Sequence, residues 1–276
     1  MRRTCSGIHS TAIVEDGASL TGDVEIGPFS VIGPHVALGD GVRILSHVVI
    51  AGHTKIGART IVHPHAVLGG GPQFRGDPGT DARLDIGEDN VIREHVTMNG
   101  GSVKGGGLTQ VGDRGYFMAY SHVAHDCHVG NGVTFANSVA LGGHVTIGDG
   151  VNIGGVSAVQ QYGRIGRNAF IGGLTGVPDD VIPYGMAWGD HARVEGLNLI
   201  GLKRRGVPRE RIHALRAAFR AIFFGRGRLS DRARDAGERW KGFAEVEEVV
   251  AFILADSKRP ICMPSASHQS DSSESD

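Results

Sequence analysis

The sequence is poor in the residues that usually betray a fold. Among 276 residues there are 3 cysteines, 10 prolines and 2 tryptophans, and aromatics make up 6%. Thiols as far apart as Cys5, Cys127 and Cys262 make neither a disulfide framework nor a zinc knuckle, and they fit a reducing compartment. The opening MRRTCSGIHS has two arginines but no apolar stretch behind them, so it is not read as a secretory signal. No run approaches the roughly 18 consecutive apolar residues of a membrane span. Charge of one sign is missing too. Lys plus Arg (28) nearly cancels Asp plus Glu (29), so no overall field calls for nucleic acid or an anionic membrane. With so few rings, the core must be built from aliphatic and small residues.

What is abundant is glycine, 44 residues, well above the average usage of about 7%. It belongs to a repeat. Stepping by six from Ile8 meets Val14, Leu20, Ile26, Ile32, Leu38, Ile44, Ile50, Ile56, Val62 and Leu68, all aliphatic. A second run goes from Val111 through Phe117, Val123, Val129, Phe135 and Leu141 to Val177. The position two before each is small or β-branched, as at Ala18, Ser30, Thr54, Cys127 and Ser157. A helix needs a period of 3.6 and a simple strand 2, so neither yields six. Six suits a short strand and a tight turn, three of which close a triangular coil, with coils stacked at roughly 4.8 Å. The expected fold is all-β: a parallel β-helix of hexapeptide repeats over residues 1–189. Its left hand is taken from known folds of this kind. The beat breaks between Leu68 and Ile86 and between Met98 and Val111, which predicts excursion loops near 70–85 and 99–110. After it stops, Ile212, Leu215, Phe219, Ile222 and Phe223 share one helical face behind Pro208, and a further helix is expected around EVEEVVAFILA. A C-terminal helical region over 190–260 and a disordered acidic tail over 261–276 complete the expected layout.

The stretch AYSHVAHDCHVG holds the candidate chemistry. Val123 is an interior position and Cys127 a corner position, so Cys127 reads as packing. His122, His125 and His144 fall off the interior positions and should face outward. They could be ordinary surface histidines, metal ligands, which need three converging donors, or a general base, for which His125 has the right proton affinity. Asp126 could orient it, provided a turn lets adjacent side chains meet.

Beyond the hexad, GPFSVIGPHV, SHVVIAGHTKIG, VIREHVTM, HVAHDCHVGN, IGGVSAVQQ, IPYGMAWGDHA and NLIGLKRRG occur in order over residues 8–206. In these stretches the chain resembles the acyl-ACP–UDP-N-acetylglucosamine O-acyltransferases of lipid A synthesis. The resemblance implies a cytoplasmic homotrimer. It also implies transfer of a 3-hydroxyacyl chain from acyl carrier protein to the 3-hydroxyl of the UDP-sugar, without metal or cofactor. It casts His125 as general base, Asp126 as its support and Gly143 N–H as oxyanion donor. His122, His144, Gln73, Gln161, Asn198, Arg204 and Arg205 become substrate-binding, and Gly173 and His191 set acyl length. Eight basic residues between Leu197 and Arg226, against Glu210 alone, suggest a docking face for an acidic carrier.

The match departs at Phe74, Arg75 and Gly76 after Gln73, at Asn99, at Gln160 and at Ile200, all on the sugar and nucleotide side. Arg75 or Arg83 would have to replace a sugar-binding lysine. These departures leave open a 3-amino sugar as acceptor, with an amide product. Another hexapeptide acyltransferase, a gamma carbonic anhydrase-like metalloenzyme and a non-catalytic scaffold are the remaining readings.

Overall fold

In the computed structural model, which describes residues 7–77 and 81–265, the hexads form the left-handed parallel β-helix expected. Successive two-residue strands go to three faces in turn: Ile13–Val14 to face I, Ser19–Leu20 to face II, Glu25–Ile26 to face III, then Val31–Ile32 to face I again. The faces carry nine, eight and ten of the described strands. Regular coils pair residues eighteen apart, as Ile32 with Ile50 and Val123 with Leu141.

The aliphatic of each hexad fills the prism. Ile26, Ile32, Leu38, Ile44 and Ile50 are at most 1% exposed, and full burial of such a side chain is worth about 1.5–3 kcal/mol. Ile8 differs from its repeat mates: it is 51% exposed, on the first of the described coils. Small polar corner residues close the turns. Ser30 Oγ donates to Leu45 O (2.7 Å) and accepts from Val48 N (3.1 Å). Along corner III/I the rings of Phe29, His47, His65, His95 and Tyr120 stand outside the prism at φ of 60–65°, in a column with centroid distances of 5.1, 5.0, 4.9 and 4.7 Å, the first two pairs tilted and the last two stacked.

Both predicted excursions are present. Ile86 pairs with Ile56, thirty positions back instead of eighteen, so twelve extra residues leave the coil after Gly70. Val123 pairs with Met98, twenty-five positions back, so seven extra residues leave after Asn99. Both leave from corner I/II.

The expected boundary at 189/190 shifts. Arg193–Leu197 pairs antiparallel with Gly185–Trp188 and extends face III, closing an edge that would otherwise present unpaired backbone. The helices follow: α1 (Leu199–Arg204), α2 (Arg209–Phe224), α3 (Leu229–Arg239) and α4 (Ala244–Leu254). The face predicted for α2 is buried. Helices α1 and α3 were not anticipated; α3 buries only Ala233 and Ala236, which leave no large-residue period. The tail also needs correction at its start. Cys262 N donates to Asp180 O and Val194 N to Met263 O, so residues 261–263 are packed on the prism because their backbone finds partners there. The rest of that tail, from 266 on, lies outside the described residues. No helix among the described residues is long and apolar enough to cross a membrane.

Candidate active site

His122–Val123 ends a face I strand and His128–Val129 begins the next on face II; the turn between them is His125's place at corner I/II. Asp126 lies at φ 60°, a left-handed conformation uncommon outside glycine. That turn solves the adjacency problem. The side chains of two consecutive residues converge, with His125 Nδ1 2.7 Å from Asp126 Oδ2. The seven-residue excursion completes the arrangement, since Ser102 donates to Asp126 through its N–H (2.9 Å) and its Oγ (2.5 Å). Thr109 Oγ in turn accepts from Asp126 N (2.8 Å). With its carboxylate accepting from Ser102, Asp126 assigns the His125 proton to Nδ1 and leaves a lone pair on Nε2. Asp126 is 3% exposed and His125 8%, so the imidazole is outside the prism but covered.

Two glycines make room for this pair. A Cβ on Gly143 would stand 2.7 Å from His125 Nε2, so the ring rests directly on that backbone. A Cβ on Gly105 would overlap the Asp126 carboxylate. The Gly143 N–H makes no hydrogen bond with a described residue and is available to a ligand.

The neighbouring residues extend the site along the corner. His144, one coil above Asp126, meets the His125 ring edge-on at 5.2 Å and stacks on Tyr162 at 4.5 Å. His122 Nδ1 lies 2.7 Å from Thr97 Oγ. Phe74, on the twelve-residue excursion beside exposed Gln73, brings its ring to 6.2 Å from that of His125. Arg83 follows the same excursion. It lines a cleft of about 410 Å³ with His53, Asp81, Val103 and Gly107.

Burial, together with the His125 charge, holds the His122 imidazole below the usual histidine range. Burial, His125 and Lys258 do the same at His144, against the opposing pull of Asp126. A depressed imidazole is neutral in the folded and unfolded chain at high pH. Below the ordinary value of about 6.5 the unfolded chain takes up protons that the folded one resists. The melting temperature should therefore fall between pH 7.5 and 5.5. His122→Asn should flatten that slope relative to wild type, as scanning calorimetry at both pH values would show. Burial pushes the Cys127 thiol up to about 12, and its Sγ donates to Gly142 O (3.1 Å), which makes it a packing residue and not a nucleophile.

His125, Asp126 and His144 bring three ligand-type atoms within 4.8 Å of one another, the one such group among the described residues. The carboxylate oxygen involved, Oδ2, already takes the Ser102 and His125 hydrogen bonds. The set is chemically that of an oriented base, with two nitrogens where a three-histidine zinc site would need three.

The other anticipated residues do not join this group within one chain. Gln161 shares corner I/II, but Gly173 sits exposed on corner III/I, and His191 follows the face III strand Gly185–Trp188. Asn198 caps α1 through Gly201 N (2.9 Å) and donates to Asn168 O (3.0 Å), while Arg205 donates to Gly150 O (3.2 Å). Both anchor to corner II/III, and Arg204 is exposed on α1. The anticipated site is thus spread over three corners of one prism.

Comparison with known proteins gives this pattern its context. A profile described as UDP-N-acetylglucosamine O-acyltransferase, domain 2, matches residues 180–262, and a bacterial transferase hexapeptide profile matches residues 35–70. An acyl-ACP–UDP-N-acetylglucosamine O-acyltransferase of Caulobacter vibrioides is 55% identical, covering 93% of this chain and 98% of its own. The chain belongs to this family. A Rhizobium johnstonii member is 47% identical over 93% of the chain and 94% of its own. The crystal structure of a UDP-N-acetylglucosamine acyltransferase superposes with a TM-score of 0.91 at 39% identity, covering 95% of this chain and all of the other. The acyltransferase of Campylobacter jejuni gives 0.88 at 33%, over 94% of this chain and all of its own. The span of the domain 2 profile to residue 262 agrees with the packed C-terminal segment.

The site reaches beyond the residues anticipated from sequence. Ser102 and Thr109 support Asp126; the only signal for Ser102 was the register break after Met98, whereas Thr109 is back in the coil, two positions before interior Val111. Tyr162 and Lys258 carried none.

Proposed function

We propose that this chain is an acyl-ACP–UDP-N-acetylglucosamine O-acyltransferase, taking the first step of lipid A biosynthesis with His125 as general base. The observation that carries the mechanism is the Ser102–Asp126–His125 chain ending in a free Nε2 over the Gly143 backbone. Nε2 removes the proton of the sugar 3-hydroxyl as that oxygen attacks the thioester carbonyl. The carbonyl oxygen becomes an oxyanion, and the Gly143 N–H is positioned to receive it. Loss of one such donor typically costs about 2.7–4 kcal/mol. Collapse breaks the C–S bond, leaves the new ester, and returns the proton from the imidazolium to the carrier thiolate. Asp126 stabilises the imidazolium between the two steps. The thioester is already activated, so the scheme uses no metal and no resident cofactor.

The spread of Gly173, His191, Asn198, Arg204 and Arg205 over two other corners supports assembly of each site between copies in a homotrimer, with closed symmetry. Lys203, Arg204, Arg209, Arg216, Arg220 and Arg226 are exposed and make no ion pair with a described residue, which suits an acidic carrier protein. Arg211 is drawn off that face by Glu245 (2.8 Å). Reducing-compartment thiols and carrier-bound substrate fit a cytoplasmic enzyme.

The test is an acyl-transfer assay pairing acylated carriers with UDP-N-acetylglucosamine and with its 3-amino analogue. Ester formation with the hydroxyl sugar is expected, in line with the O-acyltransferase designation of the relatives; amide formation alone would overturn it. The same assay tests the acyl groove. A Cβ on Gly173 meets Gly155 O at 3.4 Å, ordinary contact, so a side chain fits there without moving the coil. Gly173→Met is expected to shift preference to shorter donors by about fourfold per methylene excluded, since each buried methylene is worth about 0.8 kcal/mol. An unchanged ranking across donors of graded length would remove Gly173 from the groove.

A further inference from the structure

After α4 the chain does not leave the molecule. Residues 256–260 return to the prism as a strap, held at Asp180 both by its backbone, whose N–H donates to Pro260 O (2.8 Å), and by its buried carboxylate. Asp180 is fully buried and accepts from Arg164 N (2.8 Å), Arg164 Nε (2.7 Å) and Ser257 Oγ (2.6 Å). The Arg164 guanidinium also lies 4.4 Å over the Phe252 ring. This clamp delivers the next two residues to corner I/II. Lys258 Nζ stands 4.0 Å over the Tyr162 ring, and Arg259 Nε donates to Gln161 O (2.9 Å).

Tyr162 stacks on His144, and His144 meets His125, so Lys258 sits at the end of a continuous ring contact leading to the base, with Arg259 held beside it on the Gln161 backbone. Neither forms an ion pair with a described carboxylate. The Asp180 carboxylate, which holds the strap, is taken by Arg164 and Ser257. Arg259 spends its Nε on Gln161 and keeps the terminal nitrogens of its fork, the geometry that grips a phosphate in two places.

We propose that Lys258 and Arg259 form the phosphate-binding end of this site, taking a phosphate ester carried by one of the two substrates. The inference rests on the acyl-transfer reading above, in which both reactants carry one. The acceptor has the diphosphate of its nucleotide. The donor has the phosphodiester of its pantetheine arm. In either case the strap fixes the far end of a substrate whose reacting end lies at His125, so the binding energy orients the reacting atoms.

Steady-state transfer by wild type and K258A/R259A, with each substrate varied in turn, tests this. The expected result is a rise of about tenfold or more in one KM, with kcat changed less than about threefold, and an unaltered melting temperature. The charge-keeping variant K258R/R259K should recover most of the affinity, which a purely structural role for the strap would not require. A rise confined to the nucleotide sugar assigns the pair to the diphosphate. A rise confined to the acylated carrier assigns it to the phosphodiester; an acyl-N-acetylcysteamine thioester, which has no phosphate, should then serve both proteins equally. Both KM values within about twofold of wild type in a folded variant would overturn the proposal. Should the double variant fail to fold, K258M, which leaves the Arg259–Gln161 bond in place, is read by the same criteria. A wild type that transfers no acyl group would instead overturn the acyl-transfer reading, so the two failures are distinguishable.

Discussion

His125→Ala is expected to lower kcat for acyl transfer by roughly 10²- to 10⁴-fold, the usual worth of a positioned general base. The loss should fall on kcat with KM little changed, because on the proposed reading the ring transfers a proton and the substrate contacts lie on other residues. His144 cannot take over from where it stands. Its Nε2 is 3.6 Å from Asp126 Oδ2, so it faces the carboxylate from a second direction and does not occupy the space above Gly143. Folding should survive, since the ring lies outside the prism and Val123 and Cys127, which fill it, are untouched. The assay is initial-rate acyl transfer, with the assembly state followed by light scattering. Turnover within about fivefold of wild type, from an intact assembly, would remove His125 from the mechanism. Asp126→Asn should share much of the loss, because an amide no longer fixes the proton on Nδ1 or stabilises the imidazolium.

Asp180→Ala should be the most destabilising single change at the junction of prism and helices. It removes the acceptor of three hydrogen bonds and strands the Arg164 guanidinium, whose side chain is 19% exposed. Breaking a buried pair on one side typically costs about 3–5 kcal/mol. The partial exposure of Arg164 puts the expectation at the lower end of that range. Denaturant titration measures it, and a loss under about 1 kcal/mol would show that the strap is held by something else. Because Ser257 lets go at the same time, proteolysis should begin in the segment after α4 well before the coil is cut.

The coil was legible because a period of six has one physical source, and each interior aliphatic declares its own position. The histidines could be placed outside the prism by the same count. Three things could not be read this way. The meeting of His125 with Asp126 depends on a left-handed φ at residue 126, which an aspartate does not announce. The Ser102 contact comes from an excursion whose length, seven residues, shows only that register is lost and not where the loop goes. The strap at 256–260 looked like the end of a helical region, because Lys258 and Arg259 gain their meaning from Tyr162 and Gln161, nearly a hundred positions earlier. Helix α3 is hard to read for a different reason: its fully buried positions are two alanines among charged residues, so no row of large apolar side chains marks its packed face.

The regular stacking of coils also bears on how acyl length could be measured. Gly173 lies forty-eight residues after His125, about two and two-thirds coils of eighteen, and coils in a parallel sheet are spaced by backbone hydrogen bonds at about 4.8 Å, so the two levels are about 13 Å apart along the axis. That interval is ruled in peptide planes and cannot be stretched by a side chain. On the proposed reading, another acyl length needs no change of yardstick, only a stop made by placing bulk on a different rung.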